Sequence, residues 1–88
     1  MLSFIITAHN KALYIGAIVD AVNLSGQASG KPFEVIVVDD ASADRTATIA
    51  AEHGARVIHV QHRQIAVTRN AGARVARGDV LFFVDADT

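Results

Sequence analysis

No cysteine occurs in these 88 residues, which excludes disulfides and any metal site built on thiolates. No apolar run approaches the ~20 residues that a membrane-spanning helix needs. The opening stretch, "MLSFIITAHNK", has no basic segment before its apolar part and is interrupted by His9, Asn10 and Lys11. It therefore reads neither as a signal peptide nor as a membrane segment. An excess of one charge is missing too: the net charge of −1 gives no global reason to bind nucleic acid or an anionic membrane. The glycine-rich fingerprints of dinucleotide and P-loop sites are absent, and so is the G-x-S-x-G elbow of serine hydrolases. His59 and His62 fall at a strand end and in a loop, and read as solvated side chains rather than as a metal pair. The expected location is the cytosol, or the cytosolic face of a membrane if the chain is part of a longer protein.

What is present suits a small globular domain: 51% of the residues are hydrophobic and 19% charged. A chain this short buries only about 60–65% of its unfolded surface, so residues 1–88 form one domain at most. Four apolar runs stand out: Leu2–Ala8, Phe33–Asp40, Ala55–Val60 and Val80–Asp87. The second and fourth are nearly continuous and rich in Val, Ile and Phe, the pattern of strands covered on both faces. Between the runs, Ile15, Ile18, Val19 and Val22 recur at helical spacing, so Lys11–Leu24 is predicted as an amphipathic helix with Asn10 as its N-cap. A second helix is predicted after the "VVDD" strand, capped by Ser42 or Asp44 and closed by Gly54. A third is predicted over "QIAVTRNAGARVARG", ended by Gly78, with Gly72 allowing close packing on the sheet. Ser25–Pro32 reads as a flexible loop.

The resulting order, βαβαβαβ, argues for a three-layer α/β fold on a mostly parallel sheet. Ligands of such sheets bind beyond the carboxyl ends of the strands. The polar residues gather there: Thr7, His9 and Asn10 after the first strand, Asp39 and Asp40 after the second, Asp85 and Asp87 after the fourth. In extended backbone, Asp85 and Asp87 lie on one face, roughly 6–7 Å apart. Such a pair of hard oxygen donors suits Mg²⁺ or Mn²⁺ that keeps several waters and takes phosphate oxygens. A ribose-binding acid or a solvated acidic turn is the alternative for the same three letters. Adjacent Asp39 and Asp40 repel unless cations or hydrogen-bond donors meet them. Asp40 is either a helix cap or an acceptor for a base N–H or a sugar hydroxyl. Five arginines and no acid lie between Arg56 and Arg77, which reads as a solvated helix face or as a patch that faces an anion.

The segments "FIITAHNKALYIGAIVDAV", "FEVIVVDDASADRTATIA", "GARVIHV" and "VTRNAGARVARGDVLFFVDADT" resemble, in order and spacing, the nucleotide-binding half of family 2 glycosyltransferases with the GT-A fold. The resemblance covers essentially the whole chain. It implies a Rossmann-like sheet of order 3-2-1-4, and a nucleotide-diphosphate sugar as donor, most often a UDP-sugar. It further implies a divalent metal and inverting transfer to a hydroxyl acceptor, a saccharide or a lipid. Carried over residue by residue, Thr7, His9 and Asp40 line the nucleobase pocket, Asp85 meets the ribose or the metal, and Asp87 coordinates the metal. Arg69 and Asn70 of "TRNAG" face the nucleotide, and Arg69 can pair with Asp39 or Asp40. Three positions depart from the family pattern: His9 where Tyr is usual, Lys11 where Glu is usual, and "HRQIA" where many members have two glycines. Arg63 in that last stretch is a candidate phosphate contact. The family's catalytic base and acceptor region follow the D-x-D motif. The base is therefore expected beyond Thr88, and the chain is expected to be the donor half of a longer domain. Rival readings are weaker. A phospho-receiver needs acids after strands one and three, where "TAHN" and "HVQHR" stand, and a nucleotidyltransferase needs a glycine-rich loop after strand one. A non-catalytic nucleotide-binding module stays open.

Overall fold

The computed structural model describes residues 1–86. Asp87, one half of the acidic pair, and Thr88, beyond which the catalytic base is expected, lie outside the described residues. Four strands, β1 (Leu2–Ala8), β2 (Phe33–Asp40), β3 (Arg56–Val60) and β4 (Val80–Asp85), alternate with three helices, α1 (Ile15–Ala28), α2 (Thr46–Glu52) and α3 (Ile65–Val75). The strands form one sheet of order β3-β2-β1-β4, and every pairing is parallel. This is the order that the family resemblance implies.

The alternation of strand side chains divides the core in two. Phe4, Ile6, Val35 and Val37 pack with Ile15, Val19, Val22 and Ala50 from α1 and α2 on one face. Ile5, Ile36 and Val38 pack with Ala71, Ala73 and Val75 of α3 on the other. The expected close approach at Gly72 is present. A Cβ there would collide with Ile5 Cγ2 and lie 2.9 Å from Val38 Cγ2, so only glycine lets α3 lie this near β1 and β2.

Several boundaries differ from the sequence reading. α1 begins at Ile15, not Lys11, because Lys11–Tyr14 form a separate turn in which the Tyr14 and Ile15 N–H groups both reach the Lys11 carbonyl. Asn10 is not its N-cap; it has φ +51, a left-handed conformation that Asn tolerates better than most residues. α1 also runs on through Ser25–Ala28, the stretch read as a flexible loop. Gly26 lies against the ring of Phe33, and a Cβ there would overlap that ring, so this glycine serves packing rather than flexibility. The second helix starts at Thr46 with Arg45 at its N-cap, so neither Ser42 nor Asp44 holds the cap position; Asp44, one residue earlier, accepts from the Thr46 N–H at 3.0 Å. Gly54 follows its end with φ +94, as a C′ glycine should. α3 stops at Val75, before Gly78, because Ala76 turns to extended backbone. Gly78 instead comes close to the Met1 and Leu2 backbone.

β2 is buried from Val35 to Asp40, as its composition predicts. β4, which reads the same way, is not. Val80, Leu81, Phe82 and Phe83 are 36–46% exposed. β4 lies at the sheet edge with β1 as its neighbour, and α3 covers β1 and β2 instead. Phe82 keeps part of its area dry by stacking on Phe4, with ring centroids 5.1 Å apart.

Candidate functional site

The carboxyl ends of β1, β2 and β4 meet the start of α3 around an open cavity of about 190 Å³, with Thr7, His9, Asp40, Arg63, Thr68 and Asp85 on its wall. The sheet register does much of the assembly. Thr7 lies directly beside Asp85, and its hydroxyl is 3.5 Å from Asp85 Oδ1. Thr7 is almost fully buried, while Asp85 keeps part of its surface open.

Asp40 organises the far wall. Its carboxylate accepts from the His62 N–H at 2.9 Å, the Arg63 N–H at 2.8 Å and the Thr68 hydroxyl at 3.0 Å. It therefore caps neither α2 nor the turn before it; it captures the β3–α3 connection. Two consecutive backbone donors thus converge on one carboxylate, and the chain then turns at Arg63, which is left-handed with φ +51. That same turn brings the Arg63 side chain to the cavity wall. Thr68 lies one turn into α3, on the face that carries Gly72 against the sheet.

The adjacent Asp39 and Asp40 avoid each other by alternating across the sheet. Asp39 points toward the opposite side, where its Oδ2 lies 3.3 Å from His59 Nδ1. Asp39 Oδ1 is buried without a partner among the described residues. The expected pairing of Arg69 with these acids is not formed. Backbone N–H groups, Thr68 and His59 take that role, and among the described residues no ion pair joins Arg69 to either acid. Arg69 and Asn70 lie on the exposed side of α3, away from the cavity wall.

Behind His9, the loops after β1 and β2 are laced together. The Asn10 N–H donates to Ser42 Oγ at 2.9 Å, and Asn10 Oδ1 accepts from the Ala43 N–H at 2.7 Å. The Thr46 hydroxyl accepts from the Lys11 N–H at 2.8 Å, and Asp44 from the Ala12 N–H at 3.2 Å. The Thr46 hydroxyl above all, with the Thr46 and Ala12 N–H groups, holds the Asp44 carboxyl below the ordinary carboxylate range. Ala41 is left-handed as well, with φ +57.

The sequence reading thus places Thr7, His9, Asp40 and Asp85 where the fold brings them together. It leaves out Thr68 from the binding residues, although the spacing of Ile65, Thr68 and Gly72 on one helix face signals its direction. Among the described residues no group of three or more His, Asp or Glu side chains could hold a metal ion. A Mg²⁺ or Mn²⁺ bound largely through waters and phosphate oxygens needs only one or two carboxylates. Asp85 is the acid of the expected pair that the described residues include, and it lines the cavity beside Asp40. The second acid of the motif, Asp87, and any base beyond Thr88 lie outside the described residues.

Comparisons with known proteins agree with this architecture. The chain is 35% identical to an uncharacterized glycosyltransferase of Haemophilus influenzae, over 99% of its own length and 29% of that protein's. It spans 25–29% of the length of the curated glycosyltransferases it matches nearly end to end. Mannosyl-3-phosphoglycerate synthase of Rubrobacter xylanophilus superposes with a TM-score of 0.87 at 28% identity, covering 100% of this chain and 31% of that one. Glucosyl-3-phosphoglycerate synthase of Mycobacterium tuberculosis, in complex with Mn²⁺, UDP and glucosyl-3-phosphoglycerate, gives 0.74 at 29% identity, covering 98% and 33%. The mannosyltransferase PcManGT of Pyrobaculum calidifontis, in complex with GDP-Man and Mn²⁺, gives 0.81 at 27% identity, covering 98% and 27%. The family model described as "Glycosyl transferase family 2" matches residues 3–88, and the chain belongs to that family.

Proposed function

We propose that this chain is the donor-binding part of an inverting glycosyltransferase that moves a sugar from a nucleotide-diphosphate sugar, a UDP-sugar first of all, to a hydroxyl of a saccharide or lipid acceptor. The observation that carries this reading is the cavity at the carboxyl ends of the strands, lined by both an acid, Asp85, and a cation, Arg63. A nucleoside diphosphate needs both: a cation for its phosphates and an acid for the metal that accompanies them.

In this reading Thr7, His9 and Asp40 bound the nucleobase side. Asp40 acts mainly by fixing the β3–α3 connection, which delivers Arg63 toward the diphosphate. Asp85, joined by Asp87 from the same motif, would hold Mg²⁺ or Mn²⁺. When bound, that ion would supply positive charge to the departing nucleoside diphosphate. The neighbours that carry Mn²⁺ with UDP or with GDP-Man support a divalent ion and a nucleotide donor, and leave the base to be decided by this chain's own wall.

Equilibrium titration of the chain with UDP, GDP and ADP in the presence of Mn²⁺ tests the reading. UDP is expected to bind most tightly. Arg63→Ala should weaken UDP several-fold and leave uridine nearly unchanged, since only UDP offers phosphate oxygens to the guanidinium. Absence of binding by all three diphosphates, or equal losses for UDP and uridine in Arg63→Ala, would overturn it.

A further inference from the structure

The two ring nitrogens of His9 each meet a polar group among the described residues. Its Nδ1 lies 2.6 Å from the Asp40 carbonyl oxygen, which can only accept, so Nδ1 carries a proton and donates. Its Nε2 lies 3.1 Å from Asn10 Nδ2. The orientation of the Asn10 amide is settled by its other end, because Oδ1 accepts from the Ala43 N–H at 2.7 Å. Nδ2 is therefore a donor, and Nε2 must accept from it. The two contacts together match a ring that carries its proton on Nδ1, and they set the plane of the ring. Which nitrogen of a histidine carries the proton is set by the partner of the other.

We propose that Asn10 is a positioning residue for the nucleotide wall: its carboxamide holds the His9 imidazole in the Nδ1–H tautomer and in one plane, by bridging His9 to the loop after β2. The inference rests on the reading of the cavity as a nucleotide site for its purpose, but not for its test. Asn suits the position for three reasons. It tolerates φ +51. Its Oδ1 reaches the Ala43 N–H, and its Nδ2 reaches the ring. His9 then meets a ligand as a ring held in one plane, with both nitrogens in contact with the protein.

The test is ¹⁵N spectroscopy of the histidine side chains in the chain, at about pH 8, where an ordinary imidazole is neutral. The His9 signal is assigned by its loss in His9→Gln. The wild type should show a pyrrole-type Nδ1 and a pyridine-type Nε2. Asn10→Asp keeps an oxygen for the Ala43 N–H and tolerates the same backbone, but it sets a carboxylate against Nε2. A charged acceptor binds a donor more strongly than the neutral carbonyl at Nδ1 does, so Nε2 should become pyrrole-type while the Ala43 amide signal stays in place. An Nε2–H or mixed tautomer in the wild type overturns the proposal, and so does an Nε2 signal unmoved in Asn10→Asp. Neither readout needs a nucleotide. If the tautomer is as stated and none of UDP, GDP and ADP binds with Mn²⁺, the donor reading fails while the hold of Asn10 on the His9 ring stands.

Discussion

The two rims of this sheet solve one physical problem and differ in what they leave open. At the carboxyl rim, buried Asp40 accepts from two backbone N–H groups and the Thr68 hydroxyl. At the amino rim, Glu34 accepts from the Ser3 hydroxyl at 2.6 Å and the Arg77 N–H at 2.6 Å, with the Arg56 guanidinium 4.0 Å away. Each carboxylate ties a loop leading into or out of α3 back to the central strands. The amino rim then closes: Gly78 comes down on Ser3, and the terminal ammonium pairs with Asp79 at 3.0 Å. Among the described residues the carboxyl rim stays open, with Arg63, left-handed at φ +51, beside the cavity. A hydrogen-bonded buried acid is thus no marker of function by itself. The open volume beside it is what makes the carboxyl rim the candidate binding rim.

The largest effect should come from Asp40→Ala, which strikes fold and site together. Losing hydrogen bonds to a charged acceptor costs about 1.5–3 kcal/mol, readable in chemical denaturation, and uridine binding should fall with it. Glu34→Ala should cost a similar 1.5–3 kcal/mol and leave uridine affinity intact. Equal binding losses in both variants would erase the distinction between the rims.

The amino rim should also show in the acid limb of stability. Burial alone would raise the Glu34 carboxyl, but the Ser3 hydroxyl, the Arg77 and Gly78 N–H groups and the Arg56 charge outweigh it and hold the group below its ordinary value. A depressed folded-state value contributes stability that is present above the unfolded value, about pH 4.3, and is lost as pH falls through the folded one. Glu34→Gln should therefore flatten the decline in stability below about pH 4.3. An unchanged acid limb in urea titrations would show that Glu34 does not carry it.

Gly72→Ala comes next. Overpacking against Ile5 and Val38 costs about 1–3 kcal/mol, partly offset by the ~1 kcal/mol gain in helix propensity. A net loss in melting temperature is expected, together with weaker UDP binding, since α3 carries Thr68 to the rim. A stabilised variant would mean that the helix can shift without cost. The smallest effect should be a gain: Ala41→Gly relieves a left-handed alanine, a conformation that costs roughly 1–2 kcal/mol, against the ~0.5–1 kcal/mol entropy penalty of glycine. Thermal denaturation should show a slight rise, and a fall would locate an unseen role for the Ala41 methyl.

The gathering of Thr7, His9, Asp40 and Asp85 was legible because a parallel βαβ chain sends every strand end to the same side, whereas the strand order came from the family resemblance alone. Period-2 alternation could also have predicted that Asp39 and Asp40 face opposite sides of the sheet, which removes the need for Arg69 between them. Other features depend on tertiary neighbours that local pattern does not carry. β2 and β4 read alike in composition, yet one is central and the other an edge. Gly26 reads as a flexible residue until Phe33 is placed against it. Asn10 looks like a cap because the sequence does not show that its backbone turns left-handed and binds Ser42 and Ala43 instead.

The most direct test of the open rim as a metal–diphosphate site is isothermal titration of UDP and of uridine, each with Mn²⁺ and with chelator, against the wild type and Asp85→Asn. The wild type should bind UDP much more tightly with Mn²⁺ and bind uridine equally in both conditions. Asp85→Asn should lose most of the Mn²⁺ dependence for UDP while its uridine affinity hardly moves, because a nucleoside has no phosphate for the ion to bridge. A variant that keeps the full Mn²⁺ dependence, or a wild type that shows none, would contradict the assignment of this rim.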